Sequence, residues 1–238
     1  MGADLVARRV RGLSERYQLP RGASEQLERL LAVVSEDPHA PTAVRTPEEA
    51  VDVHVADALM ALDLPQVRAA QTLADLGSGA GFPGLVLAVA LPDTRVSLVE
   101  SNGRKCAFLS RAIAELDLAN AEAVPARAES WDAGIGSCDV VTARALASLN
   151  VVVEYAAPLL REGGALVAWK GKRDAREEQD AAAAAAATGL EAVAVRPVRP
   201  WDDAEHHHLH VYLKVGLTPN RYPRRPGMAS KRPLRAST

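Results

Sequence analysis

Along the first 70 residues, apolar positions recur every third or fourth residue. Leu5, Val6, Val10 and Leu13 make one such series, and Leu27, Leu30, Leu31 and Val34 make another, the spacing that lines one face of a helix. At Thr46-Pro47-Glu48-Glu49 a capping Thr is followed by Pro at the first helical position and by Glu three residues after the cap, which predicts a helix start. The helix runs from about 47 to 62 and carries Val51, Val55, Ala58 and Leu62 on one face. Beyond residue 70 the pattern changes to short apolar runs alternating with helical stretches. TLADLG, RVSLVE, AEAVPA, CDVVTA, GALVAWK, EAVAVRPV and HLHVYLKV predict seven strands, with helices beginning near Pro83, Arg104, Asn150 and Lys172. Such alternation predicts an α/β fold: a seven-stranded, mostly parallel sheet with helices on both faces, preceded by an N-terminal helical extension. The helix from Lys172 contains seven consecutive alanines and stops at Gly189, a residue suited to a left-handed terminator. Three stretches result: a helical extension (1–70), the α/β domain (71–216) and a C-terminal tail (217–238).

The densest chemical signal is LADLGSGAGFPG (73–84), with four glycines in eight positions. It follows the first strand, and open α/β sheets bind ligands at the carboxyl ends of their strands. Gly77 and Gly79 permit positive φ and let a ligand lie against bare backbone. Gly81 and Gly84 allow the next helix to approach the strand, and Pro83 suits an early helical position. Nineteen residues beyond Gly81 the second strand closes on Glu100, a carboxylate placed to accept hydrogen bonds from ribose hydroxyls. The segment 79–84 formally satisfies GxGxxG, which leaves a nicotinamide-dependent oxidoreductase as an alternative. Asp75, two residues before the first glycine, weighs against that alternative, because a carboxylate beside a pyrophosphate repels it. A cofactor bearing an ammonium and a sulfonium tolerates the same acid. The Asp75-x-Gly77-x-Gly79-x-Gly81 frame resembles the nucleotide loop of class I, Rossmann-like S-adenosylmethionine-dependent methyltransferases, and S-adenosyl-L-methionine is the expected cofactor. A non-catalytic RNA-binding protein that keeps this cofactor fold is the other alternative.

Composition narrows the setting. Of 238 residues, 48% are hydrophobic and 24% charged, an ordinary balance for a globular protein. No apolar run reaches the length of a membrane span, and the first residues lack the apolar block of a secretory signal, so a cytoplasmic protein is expected. Cys106 and Cys138 stand alone, suggesting neither disulfide nor structural zinc. The run His206-His207-His208-Leu209-His210 alternates across a strand with no acidic or thiolate partner nearby, so no metal is expected. Net charge is only −2, yet residues 217–238 hold six Arg or Lys and no acid. Such a tail offers cations to an anionic partner, although its composition also suits a solvated end.

The glycine loop, VTARALASL (141–149), PARAES (125–130), GALVAWKG (164–171) and RYPRRPGMASKRPL together resemble the RsmG family, also called glucose-inhibited division protein B. The resemblance runs from about Ala40 to Leu234. It implies methylation of N7 of the guanine at position 527 in bacterial 16S ribosomal RNA. It implies cofactor contacts at Gly77, Phe82, Ala128, Glu129 and Arg144, beside the Gly79 and Glu100 read above. Gly77 lies against the methionine part, Phe82 closes the pocket, and Ala128 with Glu129 holds the adenine edge. Arg144, at a strand end, grips a carboxylate or an RNA phosphate. HVADAL (54–59) keeps the family's His54 and Asp57 but has Ala58 where relatives carry Ser. His54 is read as a packed or capping residue. Guanine N7 carries a lone pair and no proton, so no general base is expected, and catalysis reduces to positioning. RNA contacts are expected from Lys170, Lys172 and Arg173 at the end of the fifth strand. In the tail they fall to Arg221, Arg224, Arg225, Lys231 and Arg232. Trp169 and Tyr222 are candidate stacking platforms. The expected partner of a monomeric enzyme is 16S ribosomal RNA or the small ribosomal subunit.

Overall fold

The computed structural model describes residues 2–236 apart from 39 and 45. All seven expected strands are present: β1 (Thr72–Leu76), β2 (Arg95–Val99), β3 (Ala121–Val124), β4 (Cys138–Arg144), β5 (Leu160–Lys170), β6 (Leu190–Val198) and β7 (His207–Lys214). They form one sheet in the order β3-β2-β1-β4-β5-β7-β6. Neighbouring strands from β3 to β5 pair in parallel, whereas β7 runs antiparallel between β5 and β6. The sheet is therefore mostly parallel, as the alternating pattern predicts. Strand order reverses at β1, whose carboxyl end opens beside that of β4, and this is where a crevice forms.

Among the described residues, ten α-helices accompany the strands. Before β1 come α1 (Gly2–Tyr17), α2 (Ala23–Glu36), α3 (Pro47–Ala50), α4 (Asp57–Leu59) and α5 (Pro65–Arg68). Between and after the strands lie α6 (Gly84–Ala90), α7 (Gly103–Glu115), α8 (Leu149–Ala156), α9 (Ala175–Thr188) and α10 (Met228–Lys231). Period-two alternation along the strands splits the core between the two faces of the sheet. Leu73, Val96, Leu98 and Val140 point into an apolar cluster shared with α1, α2, α6 and α7. Their neighbours Ala74, Val99 and Val141 point into a second cluster beneath α8 and α9. Val10, Leu27 and Leu30 of the N-terminal helices are fully buried within the first of these clusters.

Capping explains several helix starts. Asn102 accepts from the Arg104 and Lys105 amides to begin α7. Asp174 accepts from those of Arg176 and Glu177 to begin α9, three residues later than the Lys172 boundary read from sequence. Gly189 ends α9 with φ of 82°, as expected of a left-handed terminator. Thr46 occupies the N-cap of α3, but its side chain makes no capping hydrogen bond.

The chain from Pro47 to Asp63 is helical throughout, matching the expected 47–62 segment, but its pitch is not uniform. A π-helical turn spans Val51–Ala56 and a 3₁₀ turn spans Met60–Asp63. Across the π turn the Asp57 amide reaches back five residues to the Asp52 carbonyl. The Val53 carbonyl is thereby left for an outside donor, the Arg144 guanidinium. Wide turns of this kind are concentrated at functional sites.

Residues 221–236 of the basic tail are anchored to α8 and α9. Arg224 forms a fork with Glu154 of α8, a residue only 2% exposed. The Asn150 side chain donates to the Leu234 carbonyl at 2.6 Å, and the Ala236 amide donates to Asp180 at 2.9 Å. Tyr222 is buried, and Ala229 of α10 is sealed against the domain. The solvated end that composition also suited is not what forms, because Glu154, Asn150 and Asp180 on α8 and α9 supply polar anchors along its path.

Candidate active site

The glycine loop leaves β1 in a run of left-handed turns, with φ of 65° at Gly77, 56° at Gly79 and 92° at Gly81. These glycines do different work. A methyl group at Gly79 would meet nothing closer than 3.7 Å, so its surface is the bare one. At Gly77 the same group would lie 2.5 Å from Leu146 Cδ1, so this glycine makes room for a side chain from the loop after β4. At Gly84 it would overlap Leu98 and crowd Asp75, which is the close helix–strand approach expected there.

Asp75 is turned inward, into the fold. Its carboxylate is 1% exposed, accepts from Thr142 Oγ1 at 2.8 Å, and accepts from the Gly84 amide at 3.2 Å. Its role is to clamp the start of α6 to β1 and β4. Burial pushes its pKa up to about 6. Glu100, by contrast, bonds to the backbone of the loop. One carboxylate oxygen accepts from the Gly79 amide at 3.2 Å and the other from the Asn102 amide at 2.8 Å.

Arg144, at the end of β4, is held by the π-helical segment. Nη1 donates to the Val53 carbonyl at 2.7 Å and to Asp57 Oδ2 at 2.9 Å, while Nη2 lies 3.1 Å from His54 Nδ1. The next residue, Ala145, takes a positive φ of 53°, a strained conformation for a residue with a side chain. His54 stacks on Phe82 with ring centroids 4.2 Å apart. Burial, and then the Arg144 charge, lower the His54 pKa to about 4. The ring is therefore neutral near pH 7: Nδ1 accepts from Arg144, and Nε2–H donates to Thr42 Oγ1, 3.0 Å away. His54 is thus packed, as the sequence suggests, and it also positions Phe82 and Arg144.

Asp75 and His54 impose opposite pH dependences. Between about pH 4 and 6 the folded state holds a proton on Asp75 that the unfolded chain has released, so this group makes stability fall as pH rises. Over a similar window the unfolded chain holds a proton on His54 that the folded state lacks, so this group makes stability rise with pH. The two slopes, each at most about 1.4 kcal/mol per pH unit, oppose one another. In urea titrations between pH 4 and 6.5, His54→Gln is expected to lose stability relative to wild type as pH rises, and Asp75→Asn to gain it. Parallel pH profiles for all three proteins would contradict these assignments.

Two cavities meet at Arg144 and Ala145. The first, about 200 Å³, is lined by the loop from Gly77 to Ala80 and by Phe82, His54 and Lys105. The second, about 380 Å³, is lined by Val53, Asp57, Trp169, Lys170, Gly171 and His207. Trp169 is largely buried and donates its indole N–H to the Asp57 carbonyl at 3.1 Å, so it forms a wall of the second cavity.

The remaining expected residues are dispersed. Ala128 and Glu129 lie in a 3₁₀ turn after β3, and Glu129 accepts from the Gly227 amide of the tail at 2.9 Å. Among the cations, Lys170 pairs with Glu177 at 2.7 Å, and Arg173 forks onto Glu178 at 2.7 and 2.6 Å. Arg224 faces inward onto Glu154, and Arg221 lies over the Tyr222 ring. Lys172, Arg225, Lys231 and Arg232 are exposed. Tyr222 is buried, which removes it as a stacking platform. Sequence reading did not identify Asp57, Thr42, Lys105 or Glu154 as site or anchoring residues. The π turn that aims Val53 and Asp57 at Arg144 has no signature in residue spacing.

A family model described as GidB, rRNA small subunit methyltransferase G, matches residues 24–204. The ribosomal RNA small subunit methyltransferase G of Desulfitobacterium hafniense is 38% identical over 196 residues, covering 81% of each chain. Its namesake from Rubrobacter xylanophilus is 42% identical over 80% of this chain and 76% of its own. The S-adenosyl-L-methionine complex of Aeropyrum pernix fibrillarin superposes with a TM-score of 0.53 over 66% of this chain and 73% of its own, at 20% identity, a likeness of fold. On the family match and these identities, the chain belongs to the rRNA small subunit methyltransferase G (GidB) family.

Proposed function

We propose that this chain transfers a methyl group from S-adenosyl-L-methionine to N7 of a guanine in 16S ribosomal RNA, the one at position 527, as a monomeric cytoplasmic enzyme. The observation that carries this reading is the glycine loop at the carboxyl end of β1, with Glu100 bonded to it and a second cavity opening beside it. The residues present fit the cofactor. Gly79 offers a surface without a side chain, and Glu100 offers carboxylate oxygens one strand away, suited to ribose hydroxyls. Phe82, braced by His54, closes the loop cavity over the methionine part. Ala128 and Glu129 border the adenine edge, and Gly77 lets Leu146 back the loop.

When bound, S-adenosyl-L-methionine supplies a methyl group on a positively charged sulfur. The protein's contribution is to align acceptor and donor and to exclude water, since guanine N7 needs no base to remove a proton. Arg144 suits this role because it is neutralised by Asp57 and stands at the junction of the two cavities. A free cation there would oppose the positive charge that forms on the guanine. The exposed Lys172, Arg225, Lys231 and Arg232, with Lys170, Arg173 and Arg221 beside them, supply phosphate contacts. These give affinity and salt dependence without reading sequence.

The test is a methyl-transfer assay with labelled S-adenosyl-L-methionine. Small-subunit RNA lacking the modification, naked and assembled, serves as acceptor, and the modified base is then mapped. Label on guanine N7 at the single expected position is the result anticipated. Label elsewhere, or none, would overturn the assignment.

A further inference from the structure

Resting on that reading, the structure assigns a base-reading role to Asp57: its free carboxylate oxygen, Oδ1, accepts a hydrogen bond from the 2-amino group of the target guanine in the second cavity. Asp57 is 3% exposed. Its Oδ2 is taken by Arg144 at 2.9 Å, whereas Oδ1 is buried without a hydrogen-bond partner. His207 Nδ1 lies 3.4 Å from Oδ1, on a side chain one-third exposed and packed edge-on against Trp201. An acceptor buried without a partner has lost its hydration uncompensated, a deficit that a donor entering the cavity removes.

The position of Asp57 fits guanine. It lines the second cavity and not the loop cavity, where the methyl donor sits. In guanine, N7 and the 2-amino group lie at opposite ends of the ring system. A guanine that presents N7 to the loop cavity across Ala145 therefore turns its amino group towards the residues peculiar to the second cavity. Trp169 walls that cavity, and the one-third-exposed His207 borders it beside Oδ1. Adenine also offers N7, but it presents C2–H in place of the amino group and so gives the carboxylate no N–H to accept from. Asp57 thus separates the two purines by chemistry distant from the reacting atom. A site built to bond an N–H rejects an analogue lacking it more strongly than shape alone allows.

The experiment measures kcat/KM for the wild-type protein and for Asp57→Asn on two RNAs. They differ only in carrying guanine or inosine, which lacks the 2-amino group, at the methylated position. In the variant, Arg144 holds the amide oxygen and turns the amide N–H₂ towards the cavity, where a donor faces a donor. The wild type is expected to prefer guanine at least ten-fold. Asp57→Asn is expected to lose at least ten-fold on guanine and to bring the two RNAs within about three-fold, with S-adenosyl-L-methionine affinity, measured separately, little changed. Equal wild-type rates on the two RNAs, or an undiminished preference in the variant, would overturn the inference while leaving the proposed methylation intact. Should the variant fail to fold, the wild-type comparison still decides. A wild-type protein that methylates neither RNA defeats the proposed function itself, and this inference with it.

Discussion

Arg144→Ala is expected to be the most damaging single substitution in the site, lowering stability by about 3–5 kcal/mol and abolishing measurable methyl transfer. The reason lies in what the guanidinium neutralises. Asp57 has a side chain only 5% exposed, and its carboxylate is tolerable there because Arg144 lies 2.9 Å from one oxygen. Removing the cation strands that charge together with the Val53 carbonyl and His54 Nδ1. Truncating one partner of a buried pair costs more than the pair contributes when intact, because the survivor stays desolvated. For a chain of this size the midpoint of thermal unfolding should fall by on the order of 10 °C. Arg144→Lys should recover part of the stability and little of the activity, since an ammonium cannot reach Asp57, Val53 and His54 together as a planar fork does. Urea denaturation at pH 7 measures the first effect. An Arg144→Ala protein with the wild-type midpoint would show that the four-way contact contributes nothing.

The second large effect is expected far from the crevice. Arg224→Ala should cost about 3 kcal/mol and release the tail. Its guanidinium forks onto Glu154, 2% exposed on α8, and also donates to the Arg232 carbonyl at 2.9 Å. Without it a buried carboxylate is unpaired unless the tail lifts and lets water in. Lifting would in turn break the Asn150–Leu234, Tyr155–Ser230 and Glu129–Gly227 bonds. Limited proteolysis should therefore cut the variant within residues 219–236 at a dose that leaves the wild type intact. Glu154→Gln introduced into Arg224→Ala should recover most of the lost stability, because the buried charge has then gone. Independent, additive losses for the two substitutions would contradict this picture. Deleting the tail outright is consequently a poor test of RNA contacts, since it exposes Glu154 as well as removing cations.

Much of the fold was legible because strand and helix periods are written directly in the apolar positions. Leu73 and Ala74, or Val140 and Val141, alternate between the two clusters of the sheet as period two requires. The glycine loop, Glu100 and the Gly189 terminator could be placed for the same local reason: each depends on a backbone conformation or a strand end that a few adjacent residues specify. What could not be read was direction. Spacing alone sets Asp75 beside the ligand loop, but the close approach of Gly84 puts an amide donor inside the fold, and Thr142 on β4 supplies another donor. Arg224 looks like a free cation in a stretch without acids, and its partner stands 70 residues away on α8. The insertion of β7 between β5 and β6, and the π turn that frees Val53, are likewise long-range results with no counterpart in local spacing.

The most direct test of the account is calorimetric titration of the purified protein with S-adenosyl-L-methionine, wild type beside Glu100→Gln. Binding to the wild type with a single site, weakened at least ten-fold in the variant while its unfolding midpoint stays within a few degrees, is the predicted result. No binding to the wild type, or equal affinity in the two proteins, would contradict the claim that the adenosine moiety lies on the glycine loop with its ribose held by that carboxylate.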